Sequence, residues 1–493
     1  MANRCLAIGA SLCWSVLFQA EGAVINARGL SREDVGSAVF SARNGDTVVV
    51  PPGREVWKST LTVNKAITLQ FAGIGQSIIV DDIATVMPNG NPGWSQAVIC
   101  FNTEANKFCR LTGLEIDPGA KRAKPFFHGK IQIHGSTTAF RVDHCALNQL
   151  DDTGIYVSDS ACGVIDHCLF NGHSPVHAIA IMHQSWANQP YGDGSWDTPA
   201  ELGTSNAVFM EDNVFTSPTP GDAWAVLDSF AGARWVFRYN KVSNGWISNH
   251  GTESTAFNRG TRSCEIYMNT LSDPHFAFAI EFRSATGVVW SNTASGYKNR
   301  FCKLSNFRSA DSYKFWGAAN GTNPFDKNAP DGPFLTVTQT GANQPEELMV
   351  ANANWTVNQW VGYAAVDASE PGVTNFGTIY SNTATTAYLL AGNHPHVFNT
   401  GDTVKFYKVI YALDMPGMGI CGKLSRGAGG QALGSWPNQK IEPIYSWGNT
   451  MDGAKTEPTT PIPTIVPGVQ FINDTPKPGY VPFTYPHPLT LRP

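Results

Sequence analysis

One short pattern recurs between Arg141 and Asn292 and constrains the fold more than any other feature of the chain. An apolar residue is followed by two variable residues, a Cys or Asn, one variable residue and usually a second apolar one. It reads Val142-Asp-His-Cys145-Ala-Leu147, Ile165-Asp-His-Cys168-Leu-Phe170 and Met210-Glu-Asp-Asn213-Val-Phe215. It continues as Phe237-Arg-Tyr-Asn240-Lys-Val242, Ile266-Tyr-Met-Asn269-Thr-Leu271 and Val289-Trp-Ser-Asn292-Thr-Ala294. The spacing from Cys145 to Cys168 recurs, with small variation, from Asn213 through Asn240 and Asn269 to Asn292. The one wide gap, from Cys168 to Asn213, is close to two periods. A period of about 20–30 residues with one short strand pattern per repeat marks a solenoid, in which each repeat buries its apolar face on its neighbours. Leu111-Thr-Gly-Leu114-Glu-Ile116 fits the same template one repeat before Cys145.

The flanks fit an all-β solenoid with closed ends. Ser31 is a good N-cap, and Val35, Ala38, Val39 and Ala42 fall on one face of a helix that would cover the open end of the core. Strands follow at Thr47–Val50, Ala66–Phe71 and Ser77–Val80. Residues 24–310 are read as β-helix with this N-terminal cap. Beyond Asn292 the period fades. Residues 311–405 carry short strand patterns between Gly, Asn and Pro turns, which reads as a small antiparallel β module inserted in the solenoid. Rungs return within 406–455, around Tyr445-Ser-Trp-Gly-Asn449, and 456–493 is a Pro-rich tail expected to lie extended over the surface.

Charged residues make up only 15% of the chain and the net charge is −5, so no basic face for nucleic acid is expected. Residues 1–23 read as a secretory signal: Arg4, an apolar run from Leu6 to Phe18, then Ala20, Gly22 and Ala23. The run is too short to span a bilayer, and no other span is seen. Export to an extracellular or periplasmic space is the expectation. Removal of the signal would leave eight of the ten Cys. Cys145 and Cys168 hold the same place in successive repeats, about 4.8 Å apart if the rungs stack. Both a disulfide and a ladder of buried thiols are compatible with that spacing. No C-x-x-C pair is present, so structural zinc is not expected.

The run Ala42-Arg-Asn-Gly-Asp-Thr-Val-Val-Val-Pro-Pro-Gly53 resembles the opening of right-handed parallel β-helix proteins of the pectate-lyase-like superfamily. "GVIDHCLF" from Gly163, "GSWDTPAELGTSNAVFMEDN" from Gly194, "GARWVFRYN" from Gly232, "NHGTE" from Asn249, "GTRSCEIYMNT" from Gly260, "WPNQ" from Trp436 and "YPHPL" from Tyr485 resemble a narrower group of secreted bacterial β-helix proteins. The resemblance covers nearly the whole chain after the signal. It implies a right-handed parallel β-helix and makes activity on polysaccharides plausible.

Asp228 to Arg283 is the stretch richest in candidate site residues. Counted back from the ladder Asn of their own rungs, Asp228 (from Asn240), Arg259 (from Asn269), and Glu281 and Arg283 (from Asn292) fall at similar offsets. His250 and Glu253 lie further back from Asn269 and belong to a longer rung. Stacking would bring residues of three rungs into one groove. The expected site is therefore His250, Glu253, Arg259, Arg262 and Arg283, with Asp228 and Arg234 on the next rung. Such a set suits β-elimination on a uronic-acid glycan. A cation neutralises the sugar carboxylate, a base takes the acidified C–H proton, and a donor protonates the leaving oxygen. Trp196, Trp246 and Glu281 are the expected substrate-binding residues, the tryptophans by stacking on sugar rings.

A second set is Asp151, Asp152 and His173, an Asp-Asp and a Gly-His one rung apart. It resembles part of a polygalacturonase hydrolase site, in which paired carboxylates act as acid and base. The third Asp of that pattern is absent, since Phe127-His128-Gly129 stands one rung earlier, and no Arg-Ile-Lys follows. The same pair could hold Ca²⁺ through oxygen ligands. No other cofactor is expected. His144 and His167, at equivalent positions of successive repeats, read as stacked imidazoles at a solenoid corner rather than as metal ligands. The sequence thus favours a secreted polysaccharide lyase, with a glycoside hydrolase and a non-catalytic surface or matrix protein as alternatives.

Overall fold

A computed structural model describes residues 22–83, 97–120, 129–251, 259–305, 326–328, 335–342, 344–361, 363–369, 376–389, 397–412, 414–420, 439–462 and 465–492. The chain winds through three long sheets in repeated order. Sheet A has twelve strands, from Val24–Asn26 to Phe471–Ile472; sheet B has eleven, from Gly53–Trp57 to Ala454–Lys455. Sheet C has nine, from Leu61–Val63 to Arg300–Leu304. Pairing within the three is parallel, except where Thr450–Met451 turns back on Ala454–Lys455. This is the expected parallel β-helix. Almost all of the expected signal peptide lies outside the described residues. Among the described residues no helix is long and apolar enough to cross a membrane.

The repeated pattern is the corner between sheets A and B. Its first apolar residue points into the core from sheet A, as with Val142, Ile165, Met210, Phe237, Ile266 and Val289, which are in register and buried. Its second does so from sheet B, as with Leu147, Phe170, Phe215, Val242 and Leu271. Sheet C contributes Ile131, Ile155, Ile179, Leu227, Ile247 and Ile280. Each such side chain contributes about 1.5–3 kcal/mol by leaving water.

The residue before each ladder position turns the chain with positive φ: 51° at His144, 53° at His167, 57° at Tyr239 and 58° at Met268. That left-handed conformation costs a non-glycine residue about 1–2 kcal/mol. The ladder offsets it. Asn213, Asn240, Asn269 and Asn292 each give their backbone N–H to the Oδ1 of the next Asn, and each Nδ2 donates to a carbonyl one rung back. Cys145 and Cys168 stand in the same column as free thiols, so the thiol ladder is what forms. His144 and His167 stack at 5.0 Å with their planes 5° apart, each tied by Nδ1 to the Asp before it.

The N-terminal cap is the helix Arg32–Ser41. Ser31 caps it by accepting from the Asp34 N–H, and Val35, Ala38 and Val39 are its buried face. Lys65 Nζ donates to the carbonyls of Val39, Phe40 and Ala42, placing a cation on the negative end of the helix. The inserted module has its own core of Leu348, Ala365, Ile379, Leu389, Val404 and Phe406 within antiparallel strands. Its strand Thr403–Ala412 runs past residue 405, so the solenoid resumes after 412 rather than at 406. The tail returns along the outer face of sheet A. Arg141 Nη1 donates to Thr490 O, Arg238 donates to Phe483 O and Thr484 O, and Glu211 accepts from the His487 N–H.

Candidate functional site

Strand alternation sets the site on the outer face of sheet C. Inward Leu227, Ile247 and Ile280 leave Asp228, Ser248 and Glu281 pointing outward in register, with Lys303 beside Glu281 on the last rung. His177 precedes the strand Ile179–Met182, and His250 and Arg283 follow the strands Trp246–Ser248 and Phe278–Phe282.

Asp228 is the centre. Arg283 Nη2 lies 3.3 Å from Asp228 Oδ1, and His177 Nε2 lies 3.8 Å from Asp228 Oδ2. Burial pushes the Asp228 carboxyl up, but the charges of His250, His177 and Arg283 and the Ser229 N–H outweigh it and hold the group below the usual carboxylate range. The Arg283 guanidinium is fixed by Ser248 Oγ at 3.0 Å and by the Asn249 carbonyl. Glu281 accepts from Lys303 Nζ at 2.7 Å and Ser305 Oγ at 2.9 Å, with Arg283 Nε 4.0 Å away. His177 Nδ1 is 2.9 Å from Ala225 O and His250 Nδ1 is 3.1 Å from Gly251 O. A carbonyl only accepts, so each Nδ1 carries a proton, and it is Nε2 of each ring that gains or loses one.

Of the residues expected from sequence, Asp228, His250, Glu281 and Arg283 thus come together. Glu253 lies outside the described residues. Arg234, Arg259 and Arg262 do not join them, and that expectation is corrected. All three are buried at the corner between sheets C and A. Arg259 forks onto Asp414 at 2.7 and 2.8 Å and reaches Asp193 at 2.9 Å. Arg262 Nη1 lies 2.9 Å from Glu442 Oε2. Arg234 donates to Ser195 Oγ, Ser195 O and Pro199 O. Burial and the neighbouring Arg262 charge pull its pKa down to about 10.

Trp196 is corrected in the same way. It is fully buried between the Arg259 and Arg262 guanidinium groups, 5.1 and 5.2 Å from its ring, and donates to Gly260 O, so it offers no face to a sugar. These residues clasp the 193–201 excursion, the rung and the chain returning from the module. Trp246, by contrast, is half-buried on sheet C.

The second expected set is not assembled as paired catalytic carboxylates. Asp151 Oδ1 is 2.8 Å from the buried Lys130 Nζ, which also reaches Asp81 at 3.2 Å. Asp152 is buried and accepts from the Thr153 N–H. His173 is exposed and bonded to the carbonyl of Ser174. For Ca²⁺, each carboxylate thus already has an oxygen engaged. Among the described residues no three His, Cys, Asp or Glu side chains converge on a metal position.

No protein-family model matches the chain, and comparison with curated proteins gives no match. Among solved structures it is similar to a PL6-family polysaccharide lyase from Pseudopedobacter saltans, at 15% identity and a TM-score of 0.41, over 65% of this chain and 70% of that one. It is similar to a mutant of a PL6-family alginate lyase at 12% identity and a TM-score of 0.33, over 58% of this chain and 41% of that one. An E. coli bacteriophage tailspike protein in complex with a pentasaccharide gives 10% identity and a TM-score of 0.26, over 76% and 90%. The likeness is one of fold.

Sequence reasoning passed over His177 and Lys303 as site residues. A signal for each was present. Aligning the inward apolar column of sheet C puts Lys303 beside Glu281 and Ala180 beside Asp228, with His177 just ahead of that strand.

Proposed function

We propose that the protein is a polysaccharide lyase that cleaves uronic-acid-containing glycans by β-elimination on the outer face of sheet C. The observation that carries this reading is one carboxylate, Asp228, set between two imidazoles and a guanidinium. Arg283 and Lys303 neutralise the sugar carboxylate and so acidify the C–H next to it. His250 takes the C5 proton at Nε2. The electron pair forms the C4–C5 double bond and the C4–O bond breaks. His177, protonated at Nε2 and facing Asp228, gives its proton to the leaving oxygen. Asp228 offsets the charge of whichever imidazole carries the proton and orients Arg283.

The test is incubation with a panel of uronate polymers while ultraviolet absorbance from the unsaturated product is followed. A rise that disappears in Arg283→Ala and His250→Ala, with the circular dichroism spectrum unchanged, supports the reading. A panel that gives neither absorbance nor new reducing ends refutes it. New reducing ends without absorbance would instead point to hydrolysis. Export of the chain is part of the proposal, since such polymers lie outside the cell.

A further inference from the structure

Three aromatic rings at the start of the sheet C strands are only half-buried: Trp246, Phe276 and Phe278. Phe276 packs against the solenoid core, and Trp246 lies on Phe276 with centroids 5.0 Å apart and planes 17° apart. Phe278 meets both edge-on, at 5.1 and 4.9 Å. Trp246 Nε1 donates to Ala223 O, which fixes the ring in place.

The next rung runs its backbone alongside these rings and carries two cationic residues there. The Lys298 N–H donates to Phe276 O and the Arg300 N–H to Ala277 O, and Arg300 is the register partner of Phe278. Lys298 is exposed and Arg300 half-buried. Among the described residues neither is within ion-pair distance of a carboxylate, whereas Lys303 on the same strand pairs with Glu281. A rigid aromatic surface takes the C–H face of a pyranose, and an unpaired guanidinium takes a carboxylate through its fork. A hexuronate carries both features. Phe278 and Arg300 precede Glu281 and Lys303 on their own strands, and Lys303 Nζ lies 5.0 Å from the centre of the Phe278 ring, so the two regions adjoin.

We propose that Trp246, Phe276, Phe278, Lys298 and Arg300 form an adjoining subsite that holds one acidic sugar unit of a polymer while another lies at Asp228 and Arg283. The class of ligand rests on the lyase reading; the aromatic and cationic surface does not.

The experiment measures binding apart from turnover. Full-length protein carrying Arg283→Ala is titrated with oligouronates and, separately, with neutral oligosaccharides, following tryptophan fluorescence and calorimetric heat. Oligouronates are expected to bind, and neutral ones to bind more weakly. Trp246→Ala or Arg300→Ala, each added to Arg283→Ala, is expected to weaken oligouronate binding about tenfold, the loss of one good contact. In otherwise wild-type protein the same two substitutions are expected to raise KM more than they lower kcat. Arg300→Lys is expected to restore part of the loss, which a purely structural Arg300 would not require.

Binding that survives both substitutions overturns the subsite. So does equal binding of neutral and acidic oligosaccharides, and so does no binding at all. Oligouronate binding that depends on Trp246 and Arg300, without unsaturated product from wild-type protein, sustains the subsite and refutes the lyase. Lyase activity indifferent to Trp246 and Arg300 does the reverse.

Discussion

Asn292 and Asn449 are neighbours in the corner ladder although 157 residues separate them: the Asn292 N–H and Nδ2 both donate to Asn449 Oδ1, at 3.0 and 2.9 Å. The chain leaves the solenoid after Leu304, builds a whole β module, and resumes the same column of amides. The ladder is therefore a register device as well as a stabilising one. A slip of one residue on return would strand both the N–H and the amide.

Asn240→Ala should test this. It takes the acceptor from the Asn213 N–H and the donor from the Met210 carbonyl, both on the preceding rung, at about 2–3 kcal/mol. Urea unfolding is expected to show a lower midpoint with little change in slope.

Arg259→Ala should destabilise by about 3–5 kcal/mol, since it leaves the buried carboxylates of Asp193 and Asp414 uncompensated. Its folded fraction should keep the kcat of the wild type on any substrate. An activity loss beyond the loss of folded protein would return Arg259 to the active site.

His250→Ala and His177→Ala should each lower kcat by about 10²–10⁴, the usual contribution of a positioned acid or base, with unfolding midpoints close to wild type. Steady-state kinetics on the best polymer of the panel measures this. Equal loss of stability and activity would make the imidazoles structural.

The tail should make stability depend on pH. Burial, then the charges of Arg238 and Arg141, lower the His487 pKa to about 4, against about 6.5 in the unfolded chain. The folded state therefore resists a proton that the unfolded state accepts. Stability from this group is complete above about pH 6.5 and is lost as pH falls toward 4. Unfolding free energies at several pH values should be flatter across that window in His487→Asn than in wild type.

Thiol titration should find Cys145 and Cys168 silent in the native protein, where both are buried and burial raises the Cys168 thiol well above its usual value. Both should react once the chain is unfolded without reductant. A protected pair would reveal a disulfide.

The fold was legible because the Cys/Asn beat is local: one short run contains both inward positions and the corner between them. The capping helix was legible for the same reason, with Ser31 and the Val35–Val39 face close in sequence. The site was half legible. Counting back from each ladder Asn crosses the corner between sheets C and A, and rungs differ in length there. The count therefore sets Arg259 beside Asp228, Glu281 and Arg283 of sheet C, while Arg234 and Arg262, drawn from the same charged stretch, begin or precede sheet A strands. Arg259 and Trp196 were illegible because their partners, Asp414 and Gly260, are brought in by the module's return and the 193–201 excursion. No pattern near them in sequence announces those contacts.

Arg141 holds the carbonyl of Thr490, 349 residues further along the chain. The face of sheet A is thus closed by residues made much later in synthesis. A nascent or partly exported chain would carry Val164, Phe209 and Val236 exposed until Phe483 and Leu489 arrive. Closure of this face waits on residues 483–490, and an insertion just before them is expected to slow maturation of strands laid down long before.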